Sequence, residues 1–221
     1  MQEIPMLPGL ERLLDTCGRV DYPVDTRPPG HSIPGAGQLV AGYPLDPVLA
    51  TVYKRFGKAR FGGEYDGFLL HQLDDEWDGL TVGSAQRRQG EREPFHSSVI
   101  FGSTPAMAYY YATVPKLADG RGYQPVLYID AYEEGFVVPV ASDVDRFFDT
   151  FSRYVELVVR DAGYRSGGAP EETFFPLSVP QLIAWDRPLV ERLAAGHFDF
   201  LMTRTPDTRK WTARVKKAAH V

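Results

Sequence analysis

The sequence predicts an α+β fold: a single domain with a mostly antiparallel mixed sheet of about five or six strands, flanked by helices and followed by a C-terminal helical extension. Two observations carry this. Strand-like runs at 67–73, 98–101, 106–112, 125–129 and 136–140 are separated mostly by short connections, which suit hairpins better than crossovers. The last two runs form a hairpin that feeds directly into a long amphipathic helix, so the hairpin and that helix form the centre of a packed domain.

Taken in order, Leu7, Leu10, Leu13, Leu14 and Cys17 make a helical stripe, with Pro8 near its start and Gly18 past its end. Residues 19–42 shift to Pro23, Pro28, Pro29, Pro34 and several glycines, which reads as a long loop or lid. Asp46-Pro47 offers an N-cap and first-turn proline to Val48, Leu49, Val52, Tyr53 and Phe56, and Gly57 closes that helix. After the first strand run, 74–95 is polar and too rich in charge for core. Ala131-Tyr132-Glu133-Glu134-Gly135 has turn chemistry between the last two strands. Ser142 then reads as an N-cap, with Asp143 and Asp145 favouring the positive end of a helix. Val144, Phe147, Phe148, Phe151, Tyr154, Val155, Val158 and Val159 recur at three- and four-residue steps, giving one broad apolar stripe. Beyond Arg160, Gly163 and 166–170 read as a loop. Asp186 caps a helix through Leu193, and Thr205-Pro206 opens a last helix through Trp211 and Val215. The division expected is a main α+β domain over 1–160 and a helical extension packed on it over 161–221.

A chain of 221 residues can bury a sizeable core, roughly 70% of its unfolded surface. Cys17 is the only cysteine, so no internal disulfide or cysteine-rich metal site is available, and a reducing compartment fits. It falls on the apolar side of its helix; a reactive thiol is the alternative. Met1-Gln2-Glu3-Ile4-Pro5 carries no basic segment, and no apolar run approaches the roughly 18 residues of a membrane helix, so a cytoplasmic protein with no membrane partner is expected. The net charge of −5 is unevenly placed: residues 204–221 hold six basic side chains against one acidic, and the rest holds 18 against 28. Such an acidic body repels nucleic acid and favours a basic partner, while serving solubility as well.

Gly42-Tyr43-Pro44-Leu45-Asp46 opening a helix that ends at Phe56-Gly57, then Ile100-Phe101-Gly102, the hairpin, and Ala141-Ser142 before Phe147-Phe148, together resemble the SUKH superfamily of cell-wall-synthesis regulators and bacterial immunity proteins. The resemblance spans 39–160, and only the order of its short motifs is specific. Gly57-Lys58 stands where many members carry asparagine-glycine, and Thr104-Pro105-Ala106 where glycine-aspartate often precedes the central strand. It implies an α+β fold and a protein-binding role, commonly neutralisation of a toxin.

The densest acidic run is Asp74, Asp75, Glu76, Trp77 and Asp78, an indole among carboxylates, preceded by His71. It has neither the spacing of a calcium loop nor a second histidine at zinc spacing, so no metal and no cofactor is expected. An anchor with an acidic rim fits better, with Glu133 and Glu134 extending the same face; a solvated loop is the bland alternative. No phosphate loop, dinucleotide fingerprint or nucleophile elbow is present, since Gly102-Ser103-Thr104-Pro105 lacks the second glycine. The Tyr109-Tyr110-Tyr111 run reads as strand packing on two faces.

The leading expectation is a non-enzymatic, immunity or antitoxin-type protein that occludes a cognate protein toxin, such as a nuclease or other cationic effector. Alternatives are a small enzyme using His71 or His96 with the carboxylates of 74–78, a regulatory adaptor of the same fold, and nucleic-acid binding through Lys210, Arg214 and Lys217 of the last helix, against which the acidic body speaks.

Overall fold

The structure, a computed structural model, describes residues 5–30, 35–73, 79–90, 93–133, 136–202 and 205–220. Seven antiparallel strands form one sheet: β1 (Val24–Arg27), β4 (Lys58–Phe61), β5 (Phe68–Leu70), β6 (Val99–Ser103), β7 (Tyr109–Thr113), β8 (Val126–Asp130) and β9 (Phe136–Ala141), neighbours in that order. A separate two-stranded hairpin joins β2 (Leu39–Val40) to β3 (Tyr43–Pro44). The helices are α1 (Pro8–Val20), α2 (Pro47–Arg55), α3 (Leu80–Gly90), α4 (Val144–Val158), α5 (Ala162–Arg165), α6 (Pro180–Ile183), α7 (Arg187–Ala194) and α8 (Pro206–Ala218). The α+β class holds, with more strands than the hydrophobic pattern suggested and every described pairing antiparallel.

The core forms where α4 lies on the sheet. Phe147, Phe148 and Phe151 are buried and surround Phe68, whose ring centroid is 5.1 Å from Phe147 and 5.9 Å from Phe148. Phe61, Phe101 and Tyr111 complete the cluster. Dense aromatic packing of this kind stabilises through buried area and edge-to-face contacts. Phe101 sits in a bulge between the pairs Ile100–Ala112 and Gly102–Tyr111. At Gly102 a Cβ would lie 2.3 Å from the Phe68 ring, so glycine is what lets that ring reach the cluster.

Alongside, α1 packs closely against α4. A Cβ on Gly9 would meet the Asp145 carbonyl oxygen at 2.1 Å, and Thr16 and Ser152 hydrogen-bond across the seam at 3.0 Å. Ion pairs Arg12–Asp149 and Arg19–Glu156 flank it. Helices α7 and α8 pack against β9, and α6 against α4 and α8, with Trp211 and Val215 buried.

Several expectations are corrected. Gly18 does not end α1, which runs on until Asp21 turns into the left-handed region at φ 54°. Within 19–42 lie β1 and β2; β1 is exposed at all four positions, so edge pairing with β4 and not alternation defines it. Residues 74–95 contain α3, although 74–78 and 91–92 lie outside the described residues. The N-cap of α4 is Asp143, whose carboxylate accepts from the Arg146 amide at 2.8 Å, while Ser142 gives its amide, at 2.6 Å, and its side chain to Asp186.

Candidate functional site

A meander places alternate turns at one end of its sheet. The β4–β5 turn (62–67), the β6–β7 connection (104–108) and the β8–β9 turn therefore meet, cross-linked by Ala106 N–H to the Glu64 carbonyl (3.1 Å) and Ala131 N–H to the Ala108 carbonyl (3.0 Å). Tyr132 accepts the Ala108 amide on its hydroxyl at 3.2 Å. The Asp130 carboxylate holds the turn by accepting from the amides of Tyr132 (2.8 Å) and Glu133 (3.3 Å).

The segment after α5 adds a fourth wall. Asp161 caps α5 and accepts five backbone amides in all: Gly163, Tyr164, Glu171, Glu172 and Thr173, at 2.9 to 3.3 Å. Its burial acts to raise the carboxyl pKa, but these donors outweigh that and hold it well below the usual carboxylate range. Residues 171–173 are thereby fixed, and Phe174 and Phe175 follow directly. Tyr154 reinforces the arrangement by donating to the Thr173 carbonyl at 3.3 Å.

Between these walls lies a cavity of about 200 Å³, lined by Tyr65, Asp66, Gly67, Thr104, Tyr109, Tyr111, Tyr128, Tyr154, Phe174, Phe175 and Leu177. Tyr111, Tyr128 and Tyr154 are buried in its floor, whereas Tyr65 (51% exposed) and Phe174 (42%) form the rim, with Tyr132 (65%) stacked edge-on to Tyr109 just outside. Asp66 is buried; its Oδ2 accepts from the Tyr22 hydroxyl at 2.7 Å. Burial raises the phenol pKa values of Tyr22 and Tyr154, and the Asp66 charge adds to it; Tyr109 and Tyr128 are raised by burial and then by Asp130 among their neighbours. All four stay neutral phenols at physiological pH. Solvent-facing aromatics beside buried and exposed carboxylates suit recognition of a partner surface.

Of the residues singled out in the sequence, Glu133 is exposed in this turn. Asp74, Asp75, Glu76, Trp77, Asp78 and Glu134 lie outside the described residues. His71 is buried, its Nε2 2.8 Å from the Ser103 hydroxyl and its carbonyl accepting from Tyr53. His96 is exposed in a 3₁₀ turn, its carbonyl accepting from Tyr43. Among the described residues, no group of three or more His, Cys, Asp or Glu could hold a metal ion, and no helix is long and apolar enough to cross a membrane. Cys17 is buried, which pushes its thiol pKa up to about 12 and leaves it unreactive. In α8, Lys210 pairs with Asp207 at 3.1 Å and Arg214 donates to the Leu177 carbonyl at 2.9 Å, so two of the three basic residues considered for nucleic acid are engaged within the chain.

A larger cleft of about 980 Å³ opens between α1, α2 and the start of α4. Within its lining Asp149 pairs with both Arg12 and Arg153, and Asp145 accepts from the Gly9 and Leu10 amides. Compared with known proteins, the chain matches no family model and no curated protein.

Sequence reasoning named only Glu133 in this end of the sheet. Tyr65 and Asp66 come from one turn and Phe174 from a segment more than a hundred residues further on. The only local signal was the tyrosine run, and there the alternation is real: Tyr111 faces the α4 cluster, while Tyr110 meets Phe95 and Arg87 on the other side.

Proposed function

We propose that this chain is a binding protein of the immunity type, which captures and occludes a cationic protein effector at the aromatic end of its sheet. The observation that carries the reading is the ring of exposed Tyr65, Tyr132 and Phe174 around a cavity containing Asp66, with Glu64, Asp130 and Glu133 beside it, on a body with 28 acidic against 18 basic side chains before residue 204. Opposite charge steers encounter, and desolvated aromatics slow release. The ordered resemblance to SUKH proteins points the same way. Tyr65, Tyr132 and Phe174 serve as anchors in this reading; Trp77, the anchor expected from the sequence, lies outside the described residues. Co-expression with the product of the neighbouring gene tests this: rescue from its toxicity and a stoichiometric complex are expected, both weakened by Tyr65→Ala/Tyr132→Ala. Rescue that ignores this double variant would refute the site.

One observation favours a second reading. The 2.8 Å contact between Ser103 Oγ and His71 Nε2 is the geometry of an activated nucleophile. Both side chains are buried, however, and neither lines the clefts described above. A fluorophosphonate probe distinguishes the readings: labelling that disappears in Ser103→Ala would favour a hydrolase, and absence of labelling favours the binder.

A further inference from the structure

We infer that the tyrosine-lined cavity receives a single organic cation, the guanidinium or ammonium head of an arginine or lysine side chain presented by a basic protein partner; this rests on the binding reading above. Three features converge on that occupant. The lining is aromatic: Tyr65, Tyr109 and Phe174 are at least partly exposed at the cavity, and Tyr111, Tyr128 and Phe175 pack behind them, with Tyr109 and Tyr128 ring centroids 5.6 Å apart. An accessible aromatic face attracts a cation through its quadrupole, more strongly when water is excluded. Asp66 supplies the counter-charge. Its Oδ2 accepts from Tyr22; among the described residues Oδ1 has no donor, and Asp66 is the one charged residue in the lining. Size is the third feature. A volume of about 200 Å³ equals the liquid share of about seven waters, enough for a cationic head and too small for a folded element or a nucleotide.

The chemistry also excludes alternatives. An anionic guest would meet Asp66 and, outside, Asp130 and Glu133, with no cationic side chain in the lining. A purely apolar guest would leave Asp66 with only its Tyr22 partner.

The test uses the full chain, ¹⁵N-labelled and followed by amide chemical shifts. Probes are N-acetyl-argininamide, N-acetyl-lysinamide, the uncharged isostere N-acetyl-citrullinamide, and tetramethylammonium. Saturable shifts centred on Tyr65, Gly67 and Tyr109, with Kd roughly 1–10 mM for the arginine or lysine probe, are expected. Citrullinamide should bind at least about fivefold more weakly. Asp66→Asn and Tyr109→Leu should each weaken the arginine probe by at least about fivefold, whereas Tyr109→Phe, which keeps the ring, should not. Should Asp66→Asn disturb folding through Tyr22, the Tyr109 pair decides alone. Equal binding of citrullinamide, shifts centred elsewhere, or no saturation by about 50 mM would overturn the assignment. Tighter binding of tetramethylammonium than of either side-chain probe would overturn the protein source in favour of a free quaternary amine. Because no partner is present in the titration, a positive result stands even if no effector complex forms, and a negative one with an intact complex refutes the cavity while sparing the binding reading.

Discussion

Four aspartates show how much a single side chain does here. Asp46 accepts from Leu49 in its own helix and from Gln124, Asp186 from Leu189 and Ser142, Asp145 from Gly9 and Leu10, and Asp161 from both α5 and the 171–173 segment. Each clamps a helix end to a segment remote in sequence, a loop for Asp46, Asp161 and Asp186 and the start of α1 for Asp145. Burial raises Asp46 to about 7, outweighing its two main amide donors. Between an unfolded value near 4 and that folded value the native chain holds the extra proton, so this group makes stability fall as pH rises from about 4 to 7. Below that window its penalty is absent, and above it fully present. Urea midpoints of the parent should therefore decline across this range more steeply than those of Asp46→Asn; parallel curves would contradict the assignment. Gly102 gives a second prediction. Gly102→Ala should cost about 1–3 kcal/mol by overpacking Phe68, and Phe68→Leu in the same chain should recover part of it in a double-mutant cycle. Asp46 was legible in the sequence as a cap, because the i to i+3 relation is local. Its bond to Gln124 was not, since nothing in the chain announces contacts 78 residues apart.

At the scale of elements, what was legible is what carries its own periodicity. Helix α4 was readable because eight apolar residues share one face, and the structure buries its three phenylalanines. Phe148→Ala should cost about 3–5 kcal/mol in chemical denaturation, since the ring touches Phe61, Phe68 and Phe147 and its loss leaves a cavity. An unchanged midpoint would show the cluster to be misassigned. Helix α3 was illegible for the opposite reason: its attachments are polar. Ser84 accepts the Ile100 amide at 3.1 Å, Arg87 lies 4.1 Å over the Tyr110 ring and Arg88 4.1 Å over Tyr43, donating also to the Ala41 carbonyl. Cation–π contacts and arginine stems leave no hydrophobic stripe to detect. Arg88→Ala should loosen the β2–β3 hairpin selectively, speeding amide exchange at Val40 and Leu45 while leaving that of β7 and β8 unchanged. Strand β1 escaped because an edge strand exposed along its length has no alternation.

At the scale of the molecule, strand direction decides which side chains meet more than composition does. A meander brings three turns together at one end, and Asp161 adds Phe174 from beyond α5, so a site of seven aromatics assembles from segments that look unrelated in the sequence. The charge imbalance was legible from counting; where it meets aromatic surface was not. The most direct test of the account is the association kinetics of the neighbouring gene's product with the parent, with Glu64→Lys/Glu133→Lys, and with Tyr132→Ala, at low and high salt. Charge reversal should slow association several-fold at low salt and flatten its salt dependence, and Tyr132→Ala should mainly hasten dissociation. Folded variants that associate and dissociate like the parent at both salt concentrations would contradict the claim that this end of the sheet is the binding surface.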